Sequence, residues 1–280
     1  MSSDLHIHTT ASDGKWEPKR IGEIAYRLGL SYISITDHDS TEGIALALKG
    51  APHGISIISG IELGAYFEHY DIHILGYGFD YQDQKLQNQL AKMRDARFYR
   101  AQKMVERLNE LGMEIDLTEI VAEAKGENIG RLHFANVMMA RGYVKTRQEA
   151  FEKFLNKGQP AYIERFKLTV EKAIKLIYSA GGLAVLAHPG AIGFRSLEEE
   201  IASIRLFQSF GLKGIEVIHP EHSEERTSFY SNLASELNLL PTGGSDCHGP
   251  SGKDTIMIGK WTIPDEWAEQ LLKQSHILGI

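Results

Sequence analysis

The sequence predicts an α/β fold in which β-α units surround a parallel sheet and a helical insertion interrupts them. Three observations carry this. Short β-type runs alternate with amphipathic helical stretches over residues 1–83 and again over 166–280, the pattern of βα units. Residues 84–165 are helical in character without a convincing strand. Side chains suited to chemistry recur directly after the strands, where a barrel builds its active site. With 280 residues and 42% hydrophobic content, the chain can bury the core of one barrel or two domains.

Taken in order, Asp4 to His8 reads as the first strand. Pro18 sits near the start of a helix running to Leu28, where its missing N–H matters little, and Gly29 closes that helix. Tyr32 to Thr36 is the second strand, Ser40 to Lys49 the second helix, and Ile55 to Ile58 with Ile61 the third strand, ending at Gly60-Ile61-Glu62. Glycines and aromatics between Gly64 and Asp80 suggest a further strand pair. A long helix spans about Gln84 to Gly112, and shorter helical pieces follow to about Gly158. Then come a helix over Thr169–Ala180, a strand over Leu183–Ala187, a helix over Ser196–Phe210, a strand over Gly214–Ile218, a helix over Glu224–Leu237 and a strand around Leu239–Thr242. The loop Gly243-Gly244-Ser245-Asp246 follows. Its glycines suit either a turn or a backbone approach to phosphate.

Composition narrows the function. Asp and Glu number 37 against 30 Lys and Arg, a net charge of −7, so a generally cationic face for extended nucleic acid is excluded. Residues 84–165 hold 15 Lys and Arg against 11 Asp and Glu, a net of +4 that leaves −11 for the remainder. One cysteine, Cys247, excludes an internal disulfide and a cysteine-rich zinc module, which points to a reducing, cytoplasmic compartment. The N-terminus has no signal-peptide pattern, and no apolar run approaches the ~20 residues of a membrane span.

Histidine, at 12 residues, is the positive clue. His6 and His8 are two apart on a strand and so point the same way. Asp13, His38, Glu62, His73, His188, Asp246 and His248 follow along the chain. Six His, two Asp and one Glu gathered at strand ends would repel one another and be costly to desolvate unless cations lay between them. Imidazole and carboxylate without thiolate suit Mn, Fe or Zn, and nine ligands exceed one ion, so two to three divalent metals are expected. Asp37 and Asp39, flanking His38, read as partners that orient imidazoles. In the insertion, Lys92, Arg94, Arg97, Arg100, Lys103 and Arg107 share one helix, as either a substrate face or a solvated one. Arg131 with His133 is the better phosphate reader, because a guanidinium binds phosphate in a bidentate manner. Lys153 and Lys157 read as solvent-facing, Cys247 as a small buried thiol, and His222 as a possible substrate contact. His53, His69, His219 and His276 read as surface or satisfied histidines.

The ordered motifs HIHTTASDG, ITDHD, the isolated Glu62 and His73, AHP and SDCH resemble the PHP family, the polymerase and histidinol phosphatase phosphoesterases. The similarity covers the whole chain. In the insertion, GRLHFANVMMARGYVKTRQEAF resembles the branch containing nucleoside 3′,5′-bisphosphate phosphatases and the 5′–3′ exonuclease called RNase AM. The resemblance implies a distorted (β/α)7 TIM-like barrel with the insertion as a cap, and a trinuclear centre, with Mn the favoured metal. It assigns His6, His8, Glu62 and Asp246 to one ion, Glu62, His73 and His188 to a second, and Asp13, His38 and His248 to a third. Arg131 and His133 would reach from the cap to phosphate, although Leu132 stands where the family has Pro.

The implied activity is hydrolysis of phosphate monoesters of small nucleotides, such as a 3′,5′-bisphosphate or AMP, or 5′–3′ exonuclease action on short 5′-phosphorylated RNA. A hydroxide held between cations would be the nucleophile. Expected partners are a phosphorylated nucleotide or short RNA end, with no membrane and no extended DNA duplex. Histidinol phosphate is the alternative substrate. An amidohydrolase, which shares the opening HxH and a late Asp, is the alternative enzyme class, and a metal-stabilised RNA-binding domain is the non-catalytic reading.

Overall fold

Alternation along the first strand sets the plan of the site. In β1 (Ser2–Ile7), Leu5 and Ile7 belong to apolar cores, so His6, and His8 just beyond the strand, face the other way. The structure, a computed structural model, describes residues 2–124, 129–250 and 257–275. His276 lies outside the described residues.

The chain divides into two units, Met1–Asn88 with Lys167–Ile280 and Gln89–Phe166. The first unit begins β1, α1 (Pro18–Arg27), β2 (Leu30–Ile35), α2 (Glu42–Gly50), β3 (Ser56–Phe67) and β4 (Tyr70–Tyr77). Pro18 opens α1, and Gly29 follows it with φ of +75°, a left-handed conformation that glycine adopts without a Cβ penalty. The helix α3 (Gln84–Glu110) contains the boundary between the units. The second unit adds α4 (Leu117–Ala124), α5 (Arg131–Ala140), α6 (Arg147–Ala150) and a π-helical turn, Phe151–Leu155. The first unit then resumes with β5 (Leu168–Thr169), α7 (Val170–Ser179), β6 (Leu183–Leu186), a 3₁₀ turn Pro189–Ala191, α8 (Leu197–Ser209), β7 (Gly214–Ile218), α9 (Glu224–Leu237), β8 (Leu240–Gly243), β9 (Ile263–Pro264) and α10 (Asp265–Gln274). Thr169, Ser196 and Ser223 accept the backbone N–H three residues on and cap α7, α8 and α9.

Strand order is β8-β7-β6-β4-β3-β2-β1-β9, with β5 beside β3. Pairs β1–β2, β2–β3, β6–β7 and β7–β8 are parallel, whereas β4 runs antiparallel to both neighbours. That reversed strand is the distortion in the barrel. The ends approach each other: Ile7 bridges Cys247, and His8 N donates to Cys247 O at 3.0 Å. The result is a nearly closed TIM-like barrel in which helices join the parallel strands, whereas β3 turns directly into β4. Buried Asp4 stitches the seam, its carboxylate accepting the N–H of His6, Ser245 and Gly259.

One expectation changes here. The third strand does not end at Glu62 but continues to Phe67, because Leu63 and Ala65 are buried and β3 pairs with β4 along its length, from Gly60–Tyr77 to Phe67–Tyr70. Glu62 and His73 are therefore mid-strand. Gly243 closes β8 and Gly244 follows it, and both lie tight against neighbouring strands. A Cβ at Gly244 would lie 2.4 Å from His6 N, and one at Gly243 2.5 Å from Ile218 O, so close strand packing demands them.

The insertion has its own core, including Met104, Leu108, Ile120, Phe134, Met138 and Leu155. Arg100 Nε donates to Ile163 O at 2.7 Å, and Arg107 to Tyr162 O at 2.6 Å, so these two cations tie α3 to the segment before β5. Lys103 pairs with Glu106. Lys153 and Lys157 are exposed. Among the described residues, no helix is long and apolar enough to cross a membrane.

Candidate metal centre

Nine side chains singled out in the sequence form one connected cluster in the barrel unit. At its buried end, His6 Nε2, His8 Nε2, Glu62 Oε2 and Asp246 Oδ1 crowd together: each imidazole nitrogen lies 3.1 to 3.5 Å from both carboxylate oxygens. None of the four atoms has a hydrogen-bond partner. Buried polar atoms are normally paired, and four orphans of this type, facing one another, are a donor set that fits a divalent cation.

The carboxylate of Glu62 faces two ways. Its Oε1 lies 2.8 Å from His73 Nδ1 and 3.0 Å from His188 Nε2, while Oε2 lies 2.9 Å from His38 Nδ1 as well as close to His6 and His8. The remaining nitrogen of His38 is 3.8 Å from Asp13 Oδ2, and His248 Nε2 is 3.3 Å from Asp13 Oδ1. His38 thus stands between Glu62 and Asp13. Ligand-type atoms of His8, Asp13, His38 and His248, those of His6, His8 and Asp246, and those of His38, Glu62 and His73 each fall within 4.8 Å of one another. The cluster is closed at His6 and His8, which are 0% exposed, and open at Asp13 and His248.

Local backbone supports this convergence. His188 has φ of +24° and Asp246 φ of +47°, sparsely populated values for non-glycine residues that gather where surrounding structure holds them for function. Asp37 accepts Thr9 N, Thr9 Oγ1 and Ser12 Oγ, each at 2.7 Å, and so holds the loop that carries Asp13. Asp39 accepts Gly64 N at 2.9 Å. Asp37 thus orients the loop beside the centre, and Asp39 holds the backbone of β3 at Gly64.

Electrostatics follow from the mixture of charges. Burial works to raise the Glu62 carboxyl, but the imidazoles of His38, His73 and His6 overcome it and hold Glu62 well below the usual range. Burial works to lower His8, yet the carboxylates of Asp246 and Glu62 push it up to about 10. His6 is raised in the same way, with Glu216 its strongest charged neighbour. Without cations, the imidazoles supply the positive charge.

Two residues that sequence reasoning passed over belong here. His219, read as a surface or satisfied histidine, is 3% exposed. Its Nδ1 accepts Glu221 N, so the proton resides on Nε2, which faces Asp246 Oδ2 at 3.4 Å. Glu216 is 0% exposed and binds His6. Glu216 on β7 and His219 just after it, spaced i, i+3, were the available signal. His222, considered as a substrate contact, has both nitrogens engaged by backbone: Nδ1 donates to Val217 O, and Nε2 accepts Gly190 N. Cys247 is buried and unpaired.

In the insertion, Arg131 begins α5 with its guanidinium 5.5 Å from the Phe151 ring centre and 5.9 Å from that of Tyr162. His133 Nδ1 accepts Gly130 N at 3.1 Å and caps the same helix. Leu132, between them, is exposed.

A family profile for the PHP domain matches residues 4–178. A 3′,5′-nucleoside bisphosphate phosphatase of Chromobacterium violaceum is 33% identical over 256 residues, covering 90% of this chain and 89% of that protein. The 5′-3′ exoribonuclease Rnm of Escherichia coli is 32% identical over 252 residues, covering 88% and 85%. A solved structure from Bifidobacterium adolescentis, described among metal-dependent phosphoesterases, superimposes with a TM-score of 0.82 at 30% identity, over 98% of this chain and 96% of that one.

Proposed function

This chain belongs to the PHP domain family and is a phosphoric ester hydrolase, and we propose that it removes phosphate from small nucleotides bearing two phosphates, such as nucleoside 3′,5′-bisphosphates, or trims short 5′-phosphorylated RNA from its 5′ end. The observation that carries the metal-dependent reading is the set of four partnerless buried atoms on His6, His8, Glu62 and Asp246. The relatives' activities, nucleotide bisphosphate hydrolysis and 5′-3′ exoribonuclease action, support the substrate class.

In this reading His6, His8, Glu62 and Asp246 would hold one ion, Glu62 with His73 and His188 a second, and Asp13, His38 and His248 a third, manganese being the favoured metal and Fe or Zn also fitting the ligands. Divalent ions held there would supply water acidified to a nucleophile near neutral pH and positive charge opposite the phosphoryl oxygens. The protein's own part is alignment. Glu62 presents one oxygen to each side of the cluster, Asp37 fixes the loop bearing Asp13, and the closed floor at His6 and His8 directs an anionic substrate to the open side at Asp13 and His248. Arg131 and His133, in the insertion, would bind the second phosphate and make the insertion a cap. The Phe151 and Tyr162 rings beside the Arg131 guanidinium and its bond to Leu155 O would restrain it for such a contact. A cytoplasmic setting suits the single, buried, unpaired Cys247.

A substrate panel in the presence of Mn²⁺ tests the proposal by comparing a nucleoside 3′,5′-bisphosphate, a mononucleotide, short 5′-phosphorylated RNA and histidinol phosphate. Preference for the first or third supports it. A preference for histidinol phosphate contradicts it.

A further inference from the structure

Strand β7 supplies none of the nine clustered residues, yet it touches two of them through one carboxylate. Glu216 is 0% exposed. Its Oε1 accepts His6 Nδ1–H at 2.9 Å, and its Oε2 accepts the backbone N–H of His188 at 2.7 Å. His6 sits on β1 and His188 follows β6, and the resemblance of the motifs places these two side chains on different ions. We propose that Glu216 is a positioning residue that fixes the tautomer of His6 and the backbone turn of His188, so that one buried carboxylate aligns ligands of two separate ions.

The hydrogen bonds account for both effects. With its proton on Nδ1 and donated to Glu216, His6 turns the lone pair of Nε2 toward Glu62 and Asp246, and Nε2 is the His6 atom without a hydrogen-bond partner. The opposite tautomer would place a proton on Nε2 and remove the lone pair a cation needs. At His188, φ of 24° and ψ of 59° are values that an L-residue rarely adopts, and the N–H bonded to Glu216 belongs to that residue. A second support sits on the same turn: Gly190 N donates to His222 Nε2, and a Cβ at Gly190 would lie 2.8 Å from the His222 ring. The Glu216 contact serves both ligands from outside the cluster, on His6 Nδ1 and on the His188 backbone. Glutamine in its place has one oxygen for two donors, so either His6 or His188 N–H must lose its acceptor.

The inference rests on the cluster being a divalent-metal centre, and the test separates the two. Wild type and Glu216→Gln are stripped with chelator, and Mn²⁺ and Zn²⁺ affinities are measured by competition with a metal indicator, without substrate. The expected result is metal affinity weakened about 10- to 100-fold while the far-UV circular dichroism of the metal-free proteins matches. Equal affinity in the two proteins overturns the positioning role, even if the variant melts earlier. Wild type that binds no divalent metal overturns the metal-centre reading itself. Should Glu216→Gln not fold, nitrogen-15 NMR of Zn²⁺-loaded wild type still decides: a proton on His6 Nδ1 and none on Nε2 supports the inference, and an unprotonated Nδ1 overturns it.

Discussion

Glu62 Oε2 lies 3.2 Å from His8 Nε2, and neither atom has a hydrogen-bond partner although both are enclosed by protein. In the metal-free protein the two atoms face each other as an ion pair without hydrogen-bond geometry, and a cation between them would take both as ligands. Replacement of either side should therefore act through metal content. His8→Ala and Asp246→Asn, the latter chosen because Asn tolerates the φ of +47° at that position, should lower phosphoesterase kcat/KM by more than the about 100-fold typical of losing an outer-shell partner. Metal analysis of the purified variants should show a parallel loss. Full turnover in metal-replete buffer would remove these residues from the site.

The Arg131 guanidinium lies 5.5 and 5.9 Å from the Phe151 and Tyr162 ring centres and donates to Leu155 O at 3.3 Å, contacts that restrain it. A hydrogen bond to a charged group is worth about 1.5–3 kcal/mol, so Arg131→Ala should reduce kcat/KM for a 3′,5′-bisphosphate by about 10- to 100-fold and for the corresponding monophosphate much less. Equal losses on the two substrates show that Arg131 reads no second phosphate.

Gly244 makes the opposite kind of prediction, one about packing. Because an added Cβ would meet His6 N at 2.4 Å and Asp4 Oδ1 at 2.7 Å, Gly244→Ala should destabilise the metal-free protein by about 1–3 kcal/mol, the range for overpacking. Thermal melting in chelator checks this. An unchanged melting temperature contradicts the tight seam between β1 and the loop after β8.

How much of this was legible in the sequence follows from chain distance. His6 and His8 share a face by strand alternation alone, and α9 and β7 keep the boundaries that periodicity and turn residues give them. The nine clustered residues could be named because they fall in an ordered series of motifs on or beside the strands. The strand pair beyond Gly64 was legible, but not that its first member continues β3 past Glu62 without a break, a continuity set by pairing with β4. His219 and Glu216 were passed over because their partners, Asp246 and His6, are 27 and 210 residues away. The short β9 and the helix α10 followed no chemistry-bearing motif and went unread.

The metal-free protein should also show a pH signature. Burial works to lower His8, but Asp246 and Glu62 raise it from 6.5 to about 10. An imidazole raised on folding adds stability that is complete below its unfolded value and is lost as pH climbs through the folded one. Glu62 and Asp246 are held low, so their contribution is present above the ordinary carboxylate range and is lost only as pH falls through their lowered values. In chelator, the melting temperature should therefore decline between about pH 6.5 and 10. A flat profile across that window contradicts the ion-paired description of the metal-free cluster.

Metal dependence of phosphate release tests the central claim most directly. Protein stripped by chelator, then reconstituted with Mn²⁺, Fe²⁺ or Zn²⁺, is assayed for phosphate release from a nucleoside 3′,5′-bisphosphate while bound metal per chain is measured. The account predicts no turnover in the stripped protein, and recovery that follows the binding of two to three ions per chain. Hydrolysis that persists at full rate after the metal has been removed would contradict it.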